Sequence, residues 1–366
     1  MARTDTLGNF LTDVATAIRN KKGTTDTIVA SDFDTEIESI ESGSSGDTSI
    51  EDGLITRTLT EYSNNRVTEV GEYAFYNSTT LQSIDLPNVT NIKNSAFQSC
   101  SSLTSINLPK ATNIGLDAIR QCTSLTSINS PELTNLGSYA FYSCTSLSSI
   151  ILPKLITVGT SSFHNCTSLS SIDLSNATTI DASCFYGCRS LPSIDLPKVT
   201  SIGNNSFYNC QSLESVNLPN ITTIGTSCFY NNSKLLSIDL PNITSIPDNT
   251  FYNCISLESV NLPNVSSIGG SSFRLCTSLK SLDLPKVTEI NGTYNFRDSN
   301  LLKTLILRSE TICTLSNANA FFNGPIANGT GYIYVPDDLV ESYKSATNWS
   351  TYADQIKAIS EMEASL

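Results

Sequence analysis

From residue 81 onward, hydrophobic and polar positions recur with a period of 22 residues, marked by Leu81, Leu103, Leu125, Leu147, Leu169, Leu191, Leu213, Leu235, Leu257, Leu279 and Leu301. A fixed period of this length is the mark of one supersecondary unit stacked many times. With each leucine as position 0, position 3 is aliphatic from Ile84 to Leu282, and position 5 is leucine in nine of ten units, Ser130 being the exception. Proline follows position 5 in nine units, positions 8 and 11 are apolar (Val199 and Ile202, for example), and position 16 is phenylalanine from Phe97 to Phe273 except at Ile119.

This string predicts elements directly. Apolar residues at 3 and 5 alternate with polar ones, the period of a half-buried strand. Proline ends that strand, because it has no N–H for a ladder. Positions 8 to 11 read as a second short strand, and glycine at 12 (Gly203, Gly225) as the residue that permits a sharp turn. The stretch 205–210 is too short for a free helix and predicts one helical or 3₁₀ turn. Each inward apolar group is worth roughly 1.5–3 kcal/mol when buried. No single unit can bury its own set, so stacking is obligatory. Parallel strands lie about 4.8 Å apart, and eleven coils predict a rod on the order of 50 Å long.

Units such as Ser206-Phe-Tyr-Asn-Cys-Gln-Ser-Leu-Glu-Ser-Val-Asn-Leu-Pro219, followed by Ile221 and Ile224-Gly225, closely resemble the BspA-like (Treponema-type) leucine-rich repeats over roughly residues 59–336. The resemblance implies an open, parallel-stranded solenoid used for adhesion or recognition, usually at a cell surface, and brings no catalytic activity with it.

Eight of the eleven cysteines share position 19: Cys100, Cys122, Cys144, Cys166, Cys188, Cys210, Cys254 and Cys276. Asn232 and Ser78 fill the same slot in other units, and neither can form a disulfide. Neighbouring thiols near 5 Å apart fall marginally within disulfide range, but their side chains point the same way. The expectation is a ladder of buried free thiols that satisfy backbone groups. Cys184 and Cys228, at position 15, read as packing, and Cys313 has no assigned role. With no CxxC and one histidine, no metal and no cofactor is expected.

The net charge of −13 includes no basic stripe, which excludes nucleic acid as a partner. No apolar run reaches 12 residues, so no membrane insertion is expected. Met1-Ala-Arg-Thr-Asp-Thr-Leu7 leads into an amphipathic segment, not an apolar leader, and we expect no secretory signal. In that segment Leu7, Phe10, Leu11, Val14 and Ile18 follow helical spacing, and Gly23 reads as a stop. A second helix carries Phe33, Ile37 and Ile40, and Ser42-Gly-Ser-Ser-Gly46 reads as a flexible linker. The apolar stripe serves either an intramolecular hairpin or attachment and oligomerisation.

Leu7-Gly-Asn-Phe-Leu-Thr-Asp-Val-Ala-Thr-Ala-Ile-Arg19, through Ala30-Ser-Asp-Phe-Asp-Thr-Glu-Ile37, looks like the heads of tail-associated proteins of phages and prophages that infect Gram-positive bacteria. That resemblance covers only about 40 residues. It implies a part that plugs into a larger particle through residues 1–41 and leaves the solenoid outward.

A solenoid needs caps. Leu59, Val67, Val70 and Phe75 fit a degenerate first coil, and the register slips by one near Leu301, where Phe296, Leu302 and Leu305 continue the pattern. Tyr332-Ile-Tyr-Val-Pro336 reads as a closing strand, and residues 337–347 and 349–359 as capping helices, with Asp337 as N-cap and Trp349 as anchor. The fold class expected is an α/β repeat solenoid: a parallel-stranded leucine-rich repeat rod of 22-residue coils with helical ends. The expected layout is a helical attachment module at 1–41, a flexible linker at 42–53, about 11–12 coils at 54–336, and a helical cap at 337–366.

Two outward ladders are candidate sites. Position 17 carries Tyr142, His164, Tyr186, Tyr208, Tyr230 and Tyr252, flanked by Arg120 and Arg274. Such an aromatic strip suits glycan rings or a protein partner, and equally suits stacking of the rings on one another. Position 2 is serine throughout, and position 4 is Asp or Asn in nine of ten units, including Asp173, Asp195, Asn217 and Asp239, with Ile151 the exception. Such a row could bind sugar hydroxyls or calcium, but its uniformity favours hydrogen bonding along the ladder, because a specific site should break the repeat. Asp173 and Asp195 imitate a hydrolase pair on an open face with no pocket, and the chain has no nucleophile elbow and no phosphate loop, so no enzyme is expected.

The sequence therefore predicts a non-enzymatic recognition protein, a phage-tail or tail-like particle component located in a virion or extracellular particle. Its expected partners are a host cell-surface glycan or protein, other tail proteins, and further copies of itself. The alternatives are a BspA-type adhesin at a bacterial cell surface and a purely structural spacer.

Overall fold

The computed structural model describes residues 49–50 and 59–364. The chain divides into two compact units, 1–49 and 50–366, and the solenoid belongs to the second. The expected head at 1–41, with Leu7, Phe10, Leu11, Val14 and Ile18, lies outside the described residues, as does the linker at 42–53 apart from the strand Ser49–Ile50.

Parallel coils of about 22 residues build a β-solenoid of about 14 turns. Each regular coil contributes two strands. The first strands pair with a 22-residue offset, Ile84 beside Tyr62 and Ile106 beside Ile84, so identical positions stack on identical positions. The second strands stack likewise, Ile92 beside Val70 and Ile224 beside Ile202. The degenerate first coil is real: Glu61–Ser63 pairs with Ser83–Asp85, and Val67, Val70 and Phe75 are buried. The one-residue slip also holds, since Leu282 pairs with Leu305. Leu302 fills the buried slot, while Leu301, which keeps the 22-residue spacing, is 43% exposed.

The stretch after the second strand is not helical, contrary to the expected helical or 3₁₀ turn. Asn205 and Asn209 are left-handed, at φ 58° and 61°, and the equivalent positions repeat this in coil after coil. The N–H groups of Asn205, Phe207 and Asn209 donate to Thr226, Cys228 and Tyr230 of the next coil at 3.0, 2.9 and 2.8 Å, while Tyr208 donates back to Asn205 at 3.1 Å. This is a third intercoil ladder. A left-handed L-residue costs about 1–2 kcal/mol, and a hydrogen bond returns about 0.5–1.5 kcal/mol. Asparagine lowers the cost, which accounts for its frequency there.

Glycine at position 12 also serves a different purpose from the one expected. Gly225 has no positive φ, but a Cβ there would lie 2.4 Å from the Asn204 nitrogen of the previous coil, so glycine permits the close approach of two backbones.

Inside the coils the position-16 phenylalanines form a spine, from Phe141 on Phe163 at 5.3 Å to Phe296 on Phe321 at 5.0 Å between centroids, parallel within 25°. All eleven cysteines are buried and unbonded to one another. The position-19 thiols bond alike, each reaching the previous coil: Cys210 Sγ donates to Phe185 O at 3.0 Å, and Cys188 Sγ to Phe163 O at 3.1 Å. Ser299 does the same for Phe273 O at 2.6 Å, and Asn232 instead accepts the Cys210 N–H at 2.9 Å. Burial pushes the Cys210 thiol up to about 12.

The C-terminal cap departs from the two capping helices expected at 337–347 and 349–359. A 3₁₀ turn at Asp337–Leu339 leads into a helix at Val340–Ser345, then a 3₁₀ stretch at Trp349–Gln355. Ile356–Ala358 is a strand that pairs with Tyr332–Val335, followed by a helix at Ile359–Glu363. Asp337 does not cap the helix that follows it; its Oδ1 accepts the Ser360 N–H at 3.2 Å, at the start of the last helix. Trp349 closes the core. Its Nε1 donates to Cys313 O at 2.6 Å, while the Cys313 N–H donates to the Tyr343 hydroxyl at 2.7 Å, giving that cysteine a place in the cap.

Candidate functional site

The left-handed turn sends consecutive residues opposite ways. Phe207 points into the spine and is buried, while Tyr208 points out and is half-buried. Since coils repeat in register, the outward rings must stack. Tyr142, His164, Tyr186, Tyr208, Tyr230 and Tyr252 form one continuous pile with centroid spacings of 4.6, 4.5, 4.6, 4.5 and 4.5 Å, parallel within 15°. The structure thus brings together all six aromatic residues proposed from sequence. Their faces are spent on one another, so the pile offers ring edges and polar tips to a partner.

Both ends are closed by cations. Arg120 lies over Tyr142 at 4.9 Å and is held by Asp117 at 3.0 Å. Arg274 lies over Tyr252 at 5.2 Å and faces Asp298 at 3.8 Å. Beyond it the alternation continues, with Arg297 over Tyr294 at 4.7 Å and over the exposed Phe322 at 5.0 Å. Alongside the pile runs a short amide ladder: Asn253 donates to Asn231 at 2.6 Å, and Asn231 to Asn209 at 2.7 Å. Sequence reasoning missed this row and the acidic partners; the recurrent asparagine at position 18 was the available signal.

Burial, then the neighbouring Tyr252 and Tyr208 hydroxyls, pushes Tyr230 up to about 12, and burial and Tyr186 raise Tyr208. Burial between two rings lowers His164, whose Nδ1 has no hydrogen-bond partner. Tyr208 and Tyr230 therefore keep their protons and present hydroxyls that both donate and accept.

The other ladder, at position 4, is largely bonded to itself. Asn217 Nδ2 donates to Asp195 Oδ1 at 2.7 Å, Asn261 to Asp239 at 2.8 Å, and Asn107 to Asp85 at 2.7 Å. Asp173 Oδ1 accepts the Ser175 N–H at 3.0 Å, and Arg308 grips Asp283 at 2.9 and 3.1 Å. Among the described residues no group of three or more His, Cys, Asp or Glu converges as a metal site would. No described helix is long and apolar enough to cross a membrane.

The family described as BspA type Leucine rich repeat region matches residues 48–168, 112–236 and 222–330, well over half of the chain. Among solved structures, a leucine-rich repeat protein from Bacteroides ovatus is 27% identical, with a TM-score of 0.55, over 80% of this chain and 88% of that one. A leucine rich cell surface protein from Faecalibacterium prausnitzii is 23% identical with a TM-score of 0.44, over 79% and 86% of the two chains. A leucine-rich repeat protein from T. pallidum is 28% identical with a TM-score of 0.39, over 48% and 82%. No curated protein matches the chain.

Proposed function

We propose, from the premise that this chain belongs to the BspA-type leucine-rich repeat family, that it is a non-enzymatic recognition protein of a phage tail or tail-like particle. In this reading residues 1–41 join other tail proteins or further copies of the chain, and the solenoid contacts a glycan or protein of the host surface. The observation that carries it is the pile from Tyr142 to Tyr252, six outward rings in register on a scaffold whose other outward row is largely occupied with its own hydrogen bonds. Polar tips repeated at a fixed interval favour a partner that engages many weak contacts at once. The head's sequence resemblance supports placement in a particle.

Family membership favours a second reading equally, a surface adhesin of the BspA type, in which the same face would bind and only the anchorage differs. An antibody to the solenoid separates the two. Labelling of released particles supports the tail component, and labelling of intact producer cells supports the adhesin. Retention of the full chain on host envelope tests the recognition role common to both, and its absence would leave a spacer.

A further inference from the structure

Two exceptions to the repeat fall within one wall of the solenoid. Ser130 stands where nine units have leucine, and Ile151 where nine have Asp or Asn. Ile151 is 64% exposed on its strand. Five residues on, Ile156 replaces the Thr or Ser of every other regular coil and is exposed as well. A shallow cavity of about 400 Å³ opens here, lined by Ser105, Asn107, Ser127, Asn129, Ser130 and Ile151 among others. Ser127–Asn129 ends one hydrogen-bonded sheet and Ser149–Ile151 begins another, so the cavity lies across the first of several such divisions in the first ladder.

The polar row is directional. Asn107 donates to Asp85 at 2.7 Å and Asn129 to Asn107 at 2.8 Å, so each coil's amide serves the coil before it. The next residue in the row is Ile151, which cannot donate, and the relay stops at Asn129 with its Oδ1 unshared. Beneath it Ser130 is 2% exposed, and its Oγ has no hydrogen-bond partner. An unpaired buried hydroxyl is destabilising, and replacing it by leucine would both fill the core and remove that cost.

We propose that this cavity is a binding subsite for a neutral glycan. No charged side chain lines it, although the chain as a whole carries a net charge of −13. An ionic polymer therefore finds no counter-charge there. Serine hydroxyls at one coil spacing, about 4.8 Å, and the free Asn129 acceptor suit the hydroxyl edge of a sugar ring, and Ile151 suits its C–H face. The volume lies in the range of small-ligand sites. The inference rests on the reading of the solenoid as a recognition surface, but it uses a different wall from the tyrosine pile.

The test compares the full chain with Ile151→Asn and Ser130→Leu, each of which restores the repeat, on a printed array of neutral and anionic bacterial glycans. The wild type binds neutral glycans, and Ile151→Asn lowers affinity at least about ten-fold. Both variants melt at or above the wild-type temperature, so lost binding is not lost folding. Binding to anionic glycans alone, to no glycan, or equally by wild type and Ile151→Asn overturns the proposal. Host-envelope retention that persists in Ile151→Asn while the array stays blank would remove this subsite and leave the recognition role standing.

Discussion

Two aromatic rows lie one residue apart through the coils from Phe141 to Tyr252, and they differ in what they are needed for. The phenylalanine spine stacks at 5.0–5.7 Å with every ring buried against the leucines. The outer pile stacks at 4.5–4.6 Å with its edges in solvent. Register alone forces both to stack. Only the inner row is required to close the core, so the repetition of tyrosine outside needs a reason beyond folding, and the proposed presentation of ring edges to a partner would supply one.

That contrast can be broken by mutation. Phe207→Ala opens a void in the spine and should cost about 3–5 kcal/mol, read as a large drop in the denaturant midpoint. Tyr208→Ala removes two stacking partners, each pair worth about 0.5–1.5 kcal/mol, and should cost less than Phe207→Ala. If it costs as much, the outer pile is part of the core. Tyr208→Phe keeps the stack and should leave stability nearly unchanged.

The cysteine ladder sharpens the same division between buried and presented groups. Cys210→Ser, which imitates Ser299, keeps the bond to Phe185 O, whereas Cys210→Val loses it, a difference of about 1 kcal/mol. With Cys210 pushed up to about 12 by burial, it should resist alkylation at pH 8 until the coils are unfolded, as mass spectrometry would show.

The smallest effect is on pH. Burial holds His164 below its ordinary value near 6.5, so the unfolded chain takes up its proton first as pH falls. The stability of the pile is full above about pH 6.5 and declines as pH drops from there towards the folded value. His164→Tyr, which makes the row uniform, should flatten melting temperature over that window while leaving any acid loss from carboxylates such as Glu69, which titrates lower, in place.

Much of this was legible because stacking turns a local pattern into a global one. Positions 0, 5, 8, 11 and 16 are buried in the regular coils and position 3 is buried or, at Ile172, Val216 and Val260, partly so, and the register slip was visible in Leu302 and Leu305. The left-handed turns were not, because Ser and Asn at positions 14 and 18 read as ordinary polar filler; φ is set by bonds to the next coil, which no single unit displays. The strand Ile356–Ala358 was missed for a similar reason, since its pairing with Tyr332–Val335 spans the cap. The six outward aromatics were found by spacing. Their closure by Arg120–Asp117 and Arg274–Asp298 follows from packing that the spacing does not encode.

The most direct test of recognition through the outer pile is retention of the full chain on host-cell envelope, wild type against Tyr186→Phe, Tyr208→Phe and Tyr230→Phe combined. The triple variant keeps every ring and loses three hydroxyls. The account predicts an unchanged melting temperature and at least about a ten-fold loss of binding; equal binding by the two proteins would contradict it.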